Sequence, residues 1–148
     1  MLTYLVSMID AIIEDQELLS WQNKEYNVYE IRCNDVLDEE GVRFAAIINS
    51  GGKLISGGFK KGIRALEEDK QKLEEFMKFV IKISSRREYD KSLGPINYLA
   101  SRRNKVILIS FPFPISHNVL LVSAEPYVNI EKLAARITQI FGDSSLYQ

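Results

Sequence analysis

Residues 42–58 read VRFAAIINSGGKLISGG, and this stretch decides the fold. Val42–Ile48 is a short run of Val, Phe, Ala and Ile, the residue types that fill a pleated, half-buried surface. Lys53–Ser56 is a second short segment, and Asn49-Ser50-Gly51-Gly52 lies between the two. Small residues there tolerate the positive φ that tight hairpin turns require, so the stretch predicts a β-hairpin. Gly57, Gly58 and Gly62 then read as a flexible exit around Lys60 and Lys61.

Downstream, the period changes from two to nearly four. About Leu66–Tyr89 reads as a long helix, with Glu67, Glu68 and Asp69 at its start and Arg86 and Arg87 near its end, both complementing the helix dipole. Leu73, Phe76, Met77, Phe79, Val80, Ile81 and Ile83 cover more than the stripe of roughly 100° that one buried face needs. That surplus predicts a second contact. Ile96–Ser101, Val106–Phe111 and Val119–Ser123 follow as strands. The last two are apolar almost throughout, the pattern of strands covered on both faces, which places them inside the sheet. A closing helix is capped by Asn129, lines one face with Ile130, Leu133, Ile137 and Phe141, and stops at Gly142.

Upstream, about Asn23–Glu39 reads as a helix with Tyr29, Cys33, Val36 and Leu37 on one face and Gly41 as its stop; an alternating strand over Val28–Cys33 is the alternative. Before it, Leu2, Leu5, Val6, Ile9, Ile12 and Ile13 recur at spacings of three and four, with Asp10, Glu14 and Asp15 off that face. This is an amphipathic helix. The chain therefore divides into an extension helix over 1–22, a domain over 23–142 and a frayed tail over 143–148. The N-terminal stretch lacks a basic n-region and a small-residue cleavage pattern, which argues against a signal peptide. No apolar run is long enough to span a bilayer.

The 148 residues are 46% hydrophobic and 26% charged, with a formal net charge of -1, values of an ordinary globular domain. Near-neutral charge argues against a nucleic-acid binder. One cysteine, Cys33, excludes an internal disulfide and a multi-cysteine metal site, and one histidine, His117, removes most His-based sites. A cytoplasmic, cofactor-free protein is the expectation.

The order of helix, hairpin, long helix, three strands and helix describes an α+β fold, a five-stranded antiparallel sheet with helices on both faces and an extra N-terminal helix. Over about Lys24–Phe141 it resembles the dynein light-chain roadblock family, a branch of the profilin-like and longin-like folds. The hairpin carries most of the likeness, with LGPINYLASRRNKVILISFP and VLLVSAEP. The same segments resemble an uncharacterised group of small archaeal proteins. The resemblance implies a non-enzymatic regulatory module that homodimerises through its long helix and an edge strand and serves a protein partner such as a small GTPase. By position, that interface would comprise Leu73, Phe76, Met77, Val80, Ile96, Tyr98 and Ala100. The surplus apolar face has another reading within one chain, as a layer between the sheet and the N-terminal helix.

A small-molecule sensor is the second expectation, because profilin-like sheets also hold ligands. Its pocket, or a weak anion site, would involve Gly57, Gly58, Lys60, Lys61 and Tyr98, although the spacing GxxxxGK[ST] is absent. Cys33 reads as packing and His117 as an ordinary loop residue. Asp35, Asp38, Glu39 and Glu40 read as an acidic cluster, and Lys60/Lys61/Arg64, Arg86/Arg87 and Arg102/Arg103/Lys105 as scattered solvent contacts. No nucleophile and base pair is legible, so an enzyme is the weakest class.

Overall fold

The computed structural model describes residues 28–142. Helix α1 occupies residues 28–37 and leads into β1 (Val42–Ile48) and β2 (Leu54–Phe59). Helix α2 (Lys70–Ser84) and the single turn α3 (Asp90–Leu93) precede β3 (Leu99–Arg102), β4 (Ile107–Pro112), β5 (Val119–Ala124) and α4 (Ile130–Phe141). The five strands form one antiparallel sheet in the order β2-β1-β5-β4-β3. The expected extension helix, its boundary at residue 22 and the tail lie outside the described residues.

The strand period of two sorts each side chain to a layer. Ala45 and Ile47 of β1, Ile107, Ile109 and Phe111 of β4, and Leu120, Val122 and Ala124 of β5 share one core with α1 and α4. There α1 contributes Tyr29, Cys33 and Val36, and α4 contributes Leu133, Ala134, Ile137, Ile140 and Phe141. The alternate residues Phe44, Ala46, Ile48, Val119 and Leu121 face the other way, onto Val80 and Ile81 of α2. The expected helix layers on both faces are thus present, and β1, β5 and β4 are internal.

The hairpin turn forms as its residues dictate. Asn49 Oδ1 accepts from the amides of Gly51 and Lys53 at 3.0 and 3.1 Å, and Gly52 takes a φ of +77°. A Cβ on Gly52 would lie 2.6 Å from Lys78 Cγ and 3.0 Å from Lys78 Cα, so the bare glycine lets the turn sit directly on α2.

Three elements, β2, α2 and β3, differ most from the sequence expectation. Gly57 and Gly58 are no flexible exit; they belong to β2 and pair with Ala46 and Ala45. The long helix is limited to Lys70–Ser84, because Asp69 is its N-cap, accepting from the amides of Gln71 at 2.9 Å and Lys72 at 3.3 Å. Glu67 and Glu68 therefore precede the helix, and Arg86 and Arg87 follow its Ser85 cap. Finally, β3 begins at Leu99 rather than Ile96. Pro95 has no amide to donate, and Tyr98 turns its hydroxyl to Glu131 of α4 instead of extending the strand.

Candidate functional site

Helix α2 touches the sheet unevenly. Val80, Ile81 and Ser84 in its C-terminal half are buried, and the Ser84 hydroxyl lies 3.1 Å from that of Ser110 on β4. Leu73, Phe76 and Met77 in the N-terminal half are only partly covered. Between them and Phe44, Leu108 and Leu121 of the sheet lies a groove of about 400 Å³, lined also by Phe59, Leu66 and Val106. Its walls are apolar, and Arg43, Lys72, Arg103 and Glu67 stand among them. Arg43 donates to Glu125 at 2.7 Å and to the Arg64 carbonyl at 3.0 Å, so it ties the segment before Leu66 to the sheet.

The two sheet edges are treated differently. On β2, the Glu30 carboxylate of α1 accepts from the Ser56 hydroxyl at 2.8 Å and from the Gly57 amide at 3.0 Å. A carboxylate seated on an edge amide removes it as a pairing donor. On β3, Ala100, Ser101 and Arg102 are exposed, and among the described residues the strand pairs with β4 alone. The unblocked edge among the described residues is therefore β3.

The residues expected at a dimer face are dispersed. Val80 is 4% exposed and packs on the sheet, so it is not available to a partner. Leu73, Phe76 and Met77 line the groove. Ile96 lines a separate cavity of about 460 Å³ with Arg87, Asp90 and Phe113. Tyr98 faces the α4 side, its ring centroid 5.8 Å from that of Phe111. Ala100 lies on the open β3 edge. The side chain that α2 does present outward is Phe79, 55% exposed. Its signal was legible, since at 100° per residue Phe79 falls far from the stripe shared by Leu73, Met77, Val80 and Ser84.

The expected ligand or anion site does not assemble. Gly57 and Gly58 lie on β2 and Tyr98 borders β3, with β1, β5 and β4 between them. The Gly57 amide already holds a carboxylate, and Lys60 Nζ donates to the Glu39 carbonyl at 3.2 Å, while Lys61 is exposed on the following turn. Two of the other basic side chains act as latches. Arg87 donates to the carbonyls of Phe113, Pro114 and Ser116, and Arg102 to that of Pro126.

His117 is exposed in the β4–β5 connection. Among the acidic residues near the end of α1, Glu39 pairs with Arg136 at 2.5 Å. No group of three or more metal-ligating side chains occurs among the described residues. The Glu131 carboxylate holds the Tyr98 phenol above its ordinary value.

Cys33 lies buried among Tyr29, Val36 and the sheet. Desolvation, with the nearby Glu30 charge second, pushes its thiol up from 9.0 to about 12. The thiolate is the reactive form, so the folded chain should resist iodoacetamide at pH 8 and react only on unfolding. Mass spectrometry of the native and urea-treated chain checks this. The raised value also sets a pH limit: the folded state keeps a proton that the unfolded chain releases above pH 9, so this contribution to stability is complete below pH 9 and is lost as pH rises toward 12.

No helix among the described residues is long and apolar enough to cross a membrane. A family model described as a family of unknown function, DUF6659, matches residues 22–145. No curated protein sequence matches the chain. Among solved structures, the fold is similar to a roadblock/LC7 domain from Streptomyces avermitilis, with a TM-score of 0.58 and 11% identity over 77% of this chain and 92% of that one. It is also similar to MglB from Myxococcus xanthus, with a TM-score of 0.54 and 15% identity over 84% and 93% of the two chains. An MglB structure with a tetrameric arrangement scores 0.51 at 14% identity, over 78% and 91%. The expected roadblock-like fold is therefore present.

Proposed function

The chain belongs to DUF6659, the family of unknown function whose model spans most of it, and from that premise we propose that it is a non-enzymatic, homodimeric interaction module presenting a composite surface to a protein partner, such as a small GTPase. The observation that carries the reading is the open β3 edge. Of the two sheet edges, β2 has its Gly57 amide occupied by Glu30, whereas β3 exposes Ala100, Ser101 and Arg102. Pairing β3 with its copy about a two-fold axis would continue the sheet across both chains. The exposed Phe79 on α2 is the apolar anchor such an interface needs, and the tetrameric arrangement of an MglB structure is consistent with a fold that self-associates.

The test is the solution mass. Light scattering at micromolar concentration should give twice the mass of the chain. Phe79→Glu should weaken the dimer roughly 30-fold or more, the loss typical of a central aromatic anchor, with an unchanged circular dichroism spectrum because the side chain is exposed. A wild-type chain that stays monomeric across that range would sink the reading. Affinity capture from the native organism, with the Phe79→Glu chain as control, then identifies the partner.

A further inference from the structure

The groove under the N-terminal half of α2 is mostly apolar with charged side chains among its walls, and its composition says what fits it. We propose that it is filled by the amphipathic stretch Leu2–Ile13 of the same chain, which docks its Leu2, Leu5, Val6, Ile9, Ile12 and Ile13 face against Phe59, Leu66, Leu73, Phe76 and Met77. This goes beyond the dimer reading and does not rest on it.

Charge is the first argument. Arg43, Lys72 and Arg103 line the groove; Arg43 is paired with Glu125 and Lys72 with Glu67, so the uncompensated charge is that of Arg103. Residues 1–22 carry Asp10, Glu14, Asp15 and Glu17 and no Lys or Arg at all. The Arg103 cation and the acidic flank of the apolar stripe are complementary in charge. Arg103 has no side-chain partner among the described residues, so it is the cation best placed to receive one of these carboxylates.

Reach is the second. Glu30, in the first described turn of α1, binds Ser56 and Gly57 at the β2 edge, and Phe59 of the same strand forms a wall of the groove. Helix α1 therefore lies beside the β2 edge that borders the groove. The two helix layers lie on the order of 20 Å apart, about 10 Å on each side of the sheet. Residues 14–27 span roughly 48 Å when extended and still about 21 Å when helical. The connection is long enough in either form.

Docking also answers a feature of the sequence that the sheet alone does not. Leu73, Phe76 and Met77 are the apolar surplus of α2, and each remains only partly covered by the described residues. A helix laid along the groove covers them from the open side.

Full-length chains carrying Ile9→Cys with Leu66→Cys, treated with a short bis-maleimide, test the assignment. Leu66 is 55% exposed at the groove, and native Cys33 is buried with its thiol pushed up to about 12, so it does not compete. The expected result is an intrachain link between the two positions at least tenfold faster than in Ile9→Cys with Ile115→Cys, whose second site is 73% exposed on the β4–β5 connection. Equal rates, or links formed only between chains, overturn the proposal. In a second arm, full-length Ile9→Asp should bind the dye ANS several-fold more than wild type; dye binding unchanged from wild type overturns it as well.

Discussion

Gly57→Ala is expected to cost about 3 kcal/mol of stability, because it combines a forbidden backbone region with a backbone collision. Gly57 has a φ of +88°, and a Cβ there would lie 2.1 Å from the Ala45 carbonyl oxygen and 2.8 Å from Ala46 Cα. Neither atom can swing aside, since both belong to β1, an internal strand paired on both sides. At about 2.1 cal/mol/K per residue of unfolding entropy, that loss lowers the melting temperature by roughly 10 °C for a chain of this size. Gly62→Ala is the internal control. Gly62 has a φ of +85° but nothing within 4 Å of its Cβ position, so it carries the conformational cost without the collision. Thermal unfolding should place it near 1 kcal/mol. Equal losses at the two positions would mean that β2 can move away from β1 and that the ladder is looser than its geometry.

This position also marks where the sequence stopped being legible. Near-continuous runs of strand-forming apolar residues placed β1, β4 and β5 almost to the residue, because each is buried on both faces and leaves little room for polar side chains. The same reasoning failed at Gly57 and Gly58, where the absence of side chains leaves no apolar run to read. Their place in β2 is set by the close approach of Ala45 and by Glu30, a residue that lies 27 positions earlier in the sequence. The ends of α2 were misjudged for a related reason. Charges near a helix terminus read alike whether they lie inside the first turn or before it, and only the cap geometry of Asp69 decides.

For the candidate site, sequence gave the apolar surplus of α2 but not its division. Leu73 and Met77 line the groove, Val80 is sealed on the sheet, and Phe79 faces outward. Composition alone treats these as one greasy helix. The division depends on how far each half of α2 stands from the sheet, which is fixed by tertiary contacts such as Gly52 on Lys78 and Ser84 on Ser110. Tyr98 was misplaced similarly. An aromatic residue beside a strand can face either layer, and its turn toward Glu131 is a contact across 33 residues of sequence.

Phe113→Ala should produce the largest loss, about 3 to 5 kcal/mol, or roughly 10 to 16 °C in melting temperature. Phe113 sits just past the end of β4, between Pro112 and Pro114, a context that reads as surface loop, yet it is 0% exposed. Its ring meets Tyr29 of α1 edge-on at 6.0 Å between centroids and Phe141 of α4 at 6.3 Å. One loop residue thus joins both helices of that layer. Its backbone is held as well, the amide donating to the Asn118 carbonyl and the carbonyl accepting from Arg87. Phe113→Leu separates the two contributions. Leucine keeps most of the apolar volume and every backbone contact, so it should recover more than half of the loss in urea or thermal unfolding. A Phe113→Leu chain as unstable as Phe113→Ala would show that ring geometry, rather than filled volume, joins α1 to α4. A small loss in both would mean that the Arg87 latch alone holds the connection, which the exposure of that arginine makes the weaker tie.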